Sequence, residues 1–195
     1  MKNYLQASEY IDIHHPCIQE KATMLALNLQ TDEAVAKSCF EFVRDEIKHS
    51  WDYQLNPVTC KASQVLQHGT GYCYAKSHLL AALLRANGIP AALCYQRLTI
   101  SDDQPPFCLH GLNAIYLKKH GWYKVDARGN KEGVNAQFMP PHEQLAFKLA
   151  SIGEVDISER YSQPLPEVIK ALTQYTTYME VANNLPDLPA YITEQ

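Results

Sequence analysis

Little in this sequence suits a polyanion or a lipid partner. Its 195 residues carry 17 Lys and Arg against 21 Asp and Glu, a formal net charge of −4, with no block of basic residues. Nucleic acid and anionic membrane surfaces are therefore not expected partners. No stretch reaches the ~18 uninterrupted apolar residues that a bilayer span requires. The N-terminal MKNYLQASEYIDIHHP has no apolar core of signal-peptide length, so the expected location is cytoplasmic. Six cysteines occur without a single Cys-x-x-Cys pair. In a reducing compartment that excludes a disulfide framework, and the irregular spacing speaks against a zinc knuckle. The nearest approach to a ligand set, His14-His15-x-Cys17, has no second pair to complete it, so neither metal nor cofactor is expected. Repeats and low-complexity tracts are also missing.

What is present is an ordinary globular composition, 46% apolar and 19% charged, in a chain long enough for one filled core. The whole chain, 1–195, reads as a single domain. Residues 1–15 lack a sustained helical period and read as an extended arm or short strand. Ile18, Ala22, Leu25, Ala26 and Leu29 recur at helical spacing from Pro16 onward. A second helix is capped by Thr31 or Asp32 and runs to about Ser50, with Val35, Cys39, Phe40, Val43 and Ile47 on one face. Residues 51–62 form a loop leading to the short segment Ser63-Gln64-Val65-Leu66. Strands are expected at 91–100, 109–117 and 122–125, the last two joined by the hairpin loop Lys118-Lys119-His120-Gly121. Residues 101–107 read as a polar connection and 127–142 as loop. Two further helices are expected at 143–149 and 166–182.

The stretch with chemistry in it is GTGYCYAKSHLLAALLRANG, residues 69–88. Gly69 and Gly71 provide a tight, positive-φ turn, and Ala75, Leu79, Leu80, Leu83 and Leu84 make a buried helix entered at Cys73. Unpaired N–H groups and the positive dipole end of the first turn stabilise a sulfur anion there. Taken singly, any cysteine is more often a core thiol than a nucleophile. Only Cys73 has a glycine turn opening a helix; Cys17, Cys39, Cys60, Cys94 and Cys108 do not.

A thiolate nucleophile needs a base, and the base needs an acceptor that fixes its ring. The hairpin supplies His110 before its first strand and Asp126 at the end of its second. Pairing 117 with 122 places 113 opposite 126, so His110 must lean along the strand or the loop must hold a bulge. His78, five residues along the helix from Cys73, faces elsewhere. His49, His68, His120 and His142 fall at loop or terminal positions.

Taken together, the Gly-x-Cys helix start, Arg85-Ala86-Asn87-Gly88-Ile89-Pro90-Ala91, His110 opening a strand and Gly121-Trp122-Tyr123-Lys124-Val125-Asp126 resemble the bacterial transglutaminase-like superfamily of papain-type cysteine enzymes. Phe42-Val43-Arg44-Asp45-Glu46-Ile47 and Ser63-Gln64-Val65-Leu66 extend the likeness to roughly residues 35–130. Three ordered motifs are far more specific than one. The resemblance implies an α+β fold with a core at about 31–130, in which the Cys-bearing helix packs on an antiparallel sheet carrying the His and Asp. A C-terminal helical extension at about 134–195 would wall the cleft or brace the sheet. It also implies acyl transfer on a peptide, protein or small amide substrate, with Cys73 as nucleophile, His110 as proton shuttle and Asp126 as its orienter. Gly111-Leu112 depart from the aromatic residue the family commonly carries after its His. For the oxyanion, the Cys73 backbone N–H is the natural first donor, and Gln64, Gln67 and Trp51 stand as alternatives for the second. A non-catalytic scaffold that binds a partner through the same cleft is the competing reading.

Overall fold

The computed structural model describes residues 1–101 and 104–188. Residues 1–15 form no strand: a single 3-10 turn, Lys2–Leu5, is followed by irregular backbone in which the side chain of Ser8 accepts from Ile11 N. Ile11 and Ile13 reach the core through these turns and need no ladder. Helix α1, Pro16–Ala26, starts on a proline whose missing N–H has no partner to lose at that position. It stops short of Leu29, with Asn28 at φ 62°.

Helix α2, Asp32–Glu46, is capped by Thr31, whose hydroxyl accepts from Ala34 N at 3.1 Å. It buries Val35, Ala36, Cys39, Phe40 and Val43 but does not continue to Ser50. Lys48–His49 are instead drawn into a short parallel strand, β1, against β2, Thr70–Gly71. The ammonium of Lys76 satisfies the carbonyls of Arg44 and Ile47 where the helix ends. The expected 51–62 loop opens with a one-turn helix, α3, Ser50–Tyr53, and leads to α4, Ala62–His68.

Helix α5, Cys73–Ala86, is buried from Cys73 through Arg85. A helix covered on all sides needs partners on all sides. Helices α1, α2 and α4 pack against it from one side, and strands β3, Ala91–Ser101, and β4, Gln104–Leu117, from the other. Asp102 and Asp103, in the expected polar connection, lie outside the described residues, and the strand begins already at Gln104. Strand β5, Gly121–Val125, closes the hairpin with Leu117 opposite Gly121 and Asn113 opposite Val125. The expected 117–122 pairing is thus off by one, because Gly121 at φ 75° ends the turn and enters the ladder. Asp126 moves one residue closer to the level of His110.

The segment after 134 is only partly helical. Where a helix was expected at 143–149, β7, His142–Gln144, pairs with β6, Gln137–Met139, and residues 145–149 cross the sheet as an irregular strap. Strand β8, Val155–Asp156, adds to β3, giving the antiparallel order β5-β4-β3-β8. The helix expected over 166–182 is two, α6, Pro166–Gln174, and α7, Tyr178–Ala182. Tyr175 is extended, and Thr177 with Glu180 forms a new capping box that restarts the helix. The architecture is α+β. Among the described residues no helix is long and apolar enough to cross a membrane.

One buried side chain ties the two layers together. The guanidinium of Arg85 donates to the carbonyls of Ala91, Gln6 and Ser162 at 2.8 to 3.0 Å. Replacing Arg85 by Leu would leave those carbonyls unpaired, and at about 1–3 kcal/mol for an orphaned buried group a loss of at least about 3 kcal/mol is expected. Urea unfolding of the two proteins measures it.

Candidate active site

The nucleophile candidate is held from behind by close packing. A Cβ on Gly71 would lie 3.1 Å from both Ala75 Cβ and Thr59 Oγ1, so glycine is needed there for approach. Positive φ belongs to Gly69, at 65°, which corrects the expectation for Gly71. Cys73 occupies the first position of α5, after Tyr72, whose side chain leaves the helix N-terminus uncapped and donates instead to Tyr178 O at 2.5 Å. Cys73 itself is 7% exposed.

Strand β4 meets the sulfur with backbone. Gly111 N–H donates to Cys73 Sγ at 3.4 Å. A Cβ on Gly111 would stand 3.0 Å from both Cα and Cδ1 of Tyr74, so any larger residue would push the strand off the helix. That close approach is the physical reason for the glycine directly after His110.

His110 and Asp126 are joined by a buried hydrogen bond, Nε2 to Oδ2, of 2.7 Å. The carboxylate accepts, so Nε2 carries the hydrogen and Nδ1 is the nitrogen left for a second partner. Burial alone would lower the proton affinity of His110. The negative charge of Asp126 and the hydrogen bond to it, with a further contribution from the nearby Cys73, outweigh it and hold the ring well above its ordinary value. Asp126 is wholly buried; burial pushes its pKa up, but His110, Arg128 N–H and Ala146 N–H, the last two at 3.1 Å, hold it below the usual carboxylate range. Phe147, on the strap, stands edge-on to the imidazole with centroids 4.9 Å apart.

Around this trio sits a group of residues that sequence reasoning did not single out. Arg128 forks onto Asp52 at 2.7 and 3.1 Å and lies over the Phe147 ring. It thereby pins the turn whose N–H holds Asp126. Lys131 completes the Asp52 carboxylate. His49 is buried rather than at a loop surface, with its ring against Tyr72 and Nδ1 3.5 Å from Asp52 without a hydrogen bond. Burial, reinforced by Arg128, pushes its pKa well down. None of these positions lies on a motif, and the Asp52–Arg128 pairing spans 76 residues. His78, as expected, faces away and hydrogen-bonds Cys60 O.

The three candidates for a second oxyanion donor are not brought to the sulfur by any contact. Gln64 is occupied as the cap of α4, accepting from Cys60 N and Lys61 N. Gln67 is exposed on the same helix, and Trp51, 46% exposed, leans on Tyr178. Among the described residues no group of His, Cys, Asp and Glu could hold a metal ion.

Comparison with known proteins gives the same frame. Residues 20–127 match the family model described as the transglutaminase-like superfamily. A protein of Cytophaga hutchinsonii described as a candidate cysteine protease is 20% identical, with a TM-score of 0.51 over 64% of this chain and 40% of its own. The periplasmic domain of TgpA from Pseudomonas aeruginosa is 19% identical, with a TM-score of 0.46 over 64% of this chain and 45% of its own. This chain therefore spans less than half the length of those structures, and the likeness at such identities is one of fold. No curated protein matches it.

Folding the His110–Asp126 pair has a definite pH signature. The contribution of His110 is full below the ordinary histidine value of about 6.5 and disappears as pH rises through its elevated folded value. That of Asp126 is full above about 3.9 and disappears as pH falls through its depressed folded value. The pair stabilises across the neutral range between them. Asp126→Asn should cost about 3–5 kcal/mol at pH 7 and shift the titration of His110 to lower pH, the first read by urea unfolding and the second by NMR.

Proposed function

The chain belongs to the transglutaminase-like superfamily, and we propose that it is a cysteine-dependent acyl-transfer enzyme that hydrolyses, or transfers from, a peptide or amide bond. The observation that carries this reading is the buried 2.7 Å His110–Asp126 pair with the Cys73 sulfur at the edge of the same strand.

The chemistry follows from those positions. Cys73 Sγ attacks the substrate carbonyl carbon, a C–S bond forms, and the carbonyl π electrons move onto oxygen. Asp126 keeps His110 protonated through Nε2–H, and the attacking sulfur is the thiolate of an ion pair with that imidazolium. Collapse of the tetrahedral oxyanion breaks the C–N bond as His110 gives its proton to the departing amine. Water then enters, His110 removes its proton, and the thioester C–S bond breaks to give a carboxylic acid and the thiolate. An amine in place of water would give transamidation. Hydrolysis is favoured because transamidation demands that an amine outcompete water at the thioester. The oxyanion falls at the N-terminus of α5, where the backbone N–H of Cys73 is the first donor.

The other five thiols make a built-in control. Burial pushes Cys39, Cys60 and Cys108 up to about 12 and Cys94 to about 11, and it also raises Cys17. At pH 7 iodoacetamide should therefore label Cys73 at least about a hundredfold faster than any other cysteine, as read by peptide mass spectrometry. Uniform labelling of all six would remove the nucleophile from this reading. Cys73→Ala should lower turnover of an amide or γ-glutamyl substrate by about 10⁴-fold or more. A variant that kept its cellular role without turnover would favour the scaffold reading.

A further inference from the structure

Cys73 and His110 retain only 7% and 4% exposure, so an acyl donor reaches the sulfur only after something moves. Strand β5 pairs with β4 from Asn113 onward and leaves the edge before it without a strand neighbour from β5. On that edge the N–H groups of Leu109 and Gly111, two residues apart, point the same way. Gly111 N–H meets the Cys73 sulfur. Leu109 N–H, one step along, donates to the carbonyl of Pro186 at 2.7 Å. The chain's own C-terminal segment thus lies on the strand edge beside the nucleophile.

The next residue, Asp187, is bound with high specificity. Both its carboxylate oxygens are held by the guanidinium of Arg97, at 2.6 and 2.8 Å. Arg97 is 5% exposed, stacks on Phe107 at 3.8 Å and gives its third arm to Gly153 O. A buried, ring-stacked guanidinium with a free fork is a carboxylate receptor, and here the occupant comes from the end of the described chain. Past α7, the polar ties of that occupant are one ladder bond and one fork, with Pro186 buried and Leu185 and Leu188 packed against the core.

We propose that the Leu109 edge together with Arg97 is the binding site for an extended peptide bearing an acidic side chain, and that residues 185–188 are a tethered occupant which such a peptide displaces. This rests on the acyl-transfer reading above and specifies its substrate. Edge recognition supplies backbone hydrogen bonds without regard to sequence, and Arg97 supplies the selectivity. Tethering raises the local concentration of the segment to the millimolar range, so modest contacts keep it in place.

The test is the rate of Cys73 alkylation by iodoacetamide in the full chain. Asp187→Asn removes the charge at constant shape and should open the site, raising the rate about tenfold, equivalent to about 1.4 kcal/mol. Arg97→Lys keeps the charge but loses the fork and should raise it by a smaller factor. The synthetic pentapeptide Asn-Leu-Pro-Asp-Leu, residues 184–188, at about 1 mM, should slow alkylation of Asp187→Asn towards the native rate. The same peptide with Asn for Asp should not. Equal rates in the native chain and in the folded variants, or equal protection by both peptides, overturns the proposal. If Asp187→Asn loses its circular dichroism signature, Arg97→Lys and titration of the two peptides into the native chain decide in the same way. Cys73 labelling no faster than the other five thiols in every protein would instead overturn the acyl-transfer reading.

Discussion

A carboxylate with no access to water survives at the centre of this protein because three donors converge on it. Asp126 takes the imidazole of His110 and the backbone N–H groups of Arg128 and Ala146, and without them burial would neutralise it. Each donor comes from a different piece of chain: a strand, the turn after β5, and the strap that crosses the sheet. The site can therefore form only when hairpin, turn and strap are all in place. Arg128 shows how the dependence spreads, since its fork onto Asp52 fastens the turn to the one-turn helix that follows β1.

How much of this was visible in the residues follows from the range of the interactions. The helix entered at Cys73 was legible because its pattern is local: a glycine turn, an apolar run and an Asn-Gly stop. So was the hairpin, and with it the rough level of His110 and Asp126. The one-residue error in its register arose because Gly121 can serve either as turn or as first ladder residue, and here it does both. Helix ends were misjudged for two different reasons. Lys76 closes α2 from another helix, a distant intervention, whereas Thr177 and Glu180 restart, by a local capping box, a helix that apolar spacing alone would run straight through.

The helix expected at 143–149 failed for a related reason. Glu143 there accepts from Lys124 N in the neighbouring strand, His142–Gln144 pair with β6, and Phe147 turns in to lie against His110. Tertiary partners outweighed a weak helical period. The outer pairs Asp52–Arg128 and Arg97–Asp187 were not legible at all, because ion pairs formed between residues 76 and 90 positions apart leave no spacing to read.

Lys76 sits one turn beyond Cys73, and its ammonium is sunk into the carbonyls that end α2. Burial lowers its pKa to about 7, yet the side chain remains 1% exposed and locked in that position. It acts as a dowel between two helices, so α5 can neither slide along its axis nor roll without extracting a lysine from the interior. The sulfur is thus seated on a fixed anvil, and breathing of the cleft falls to the thinner pieces laid over it.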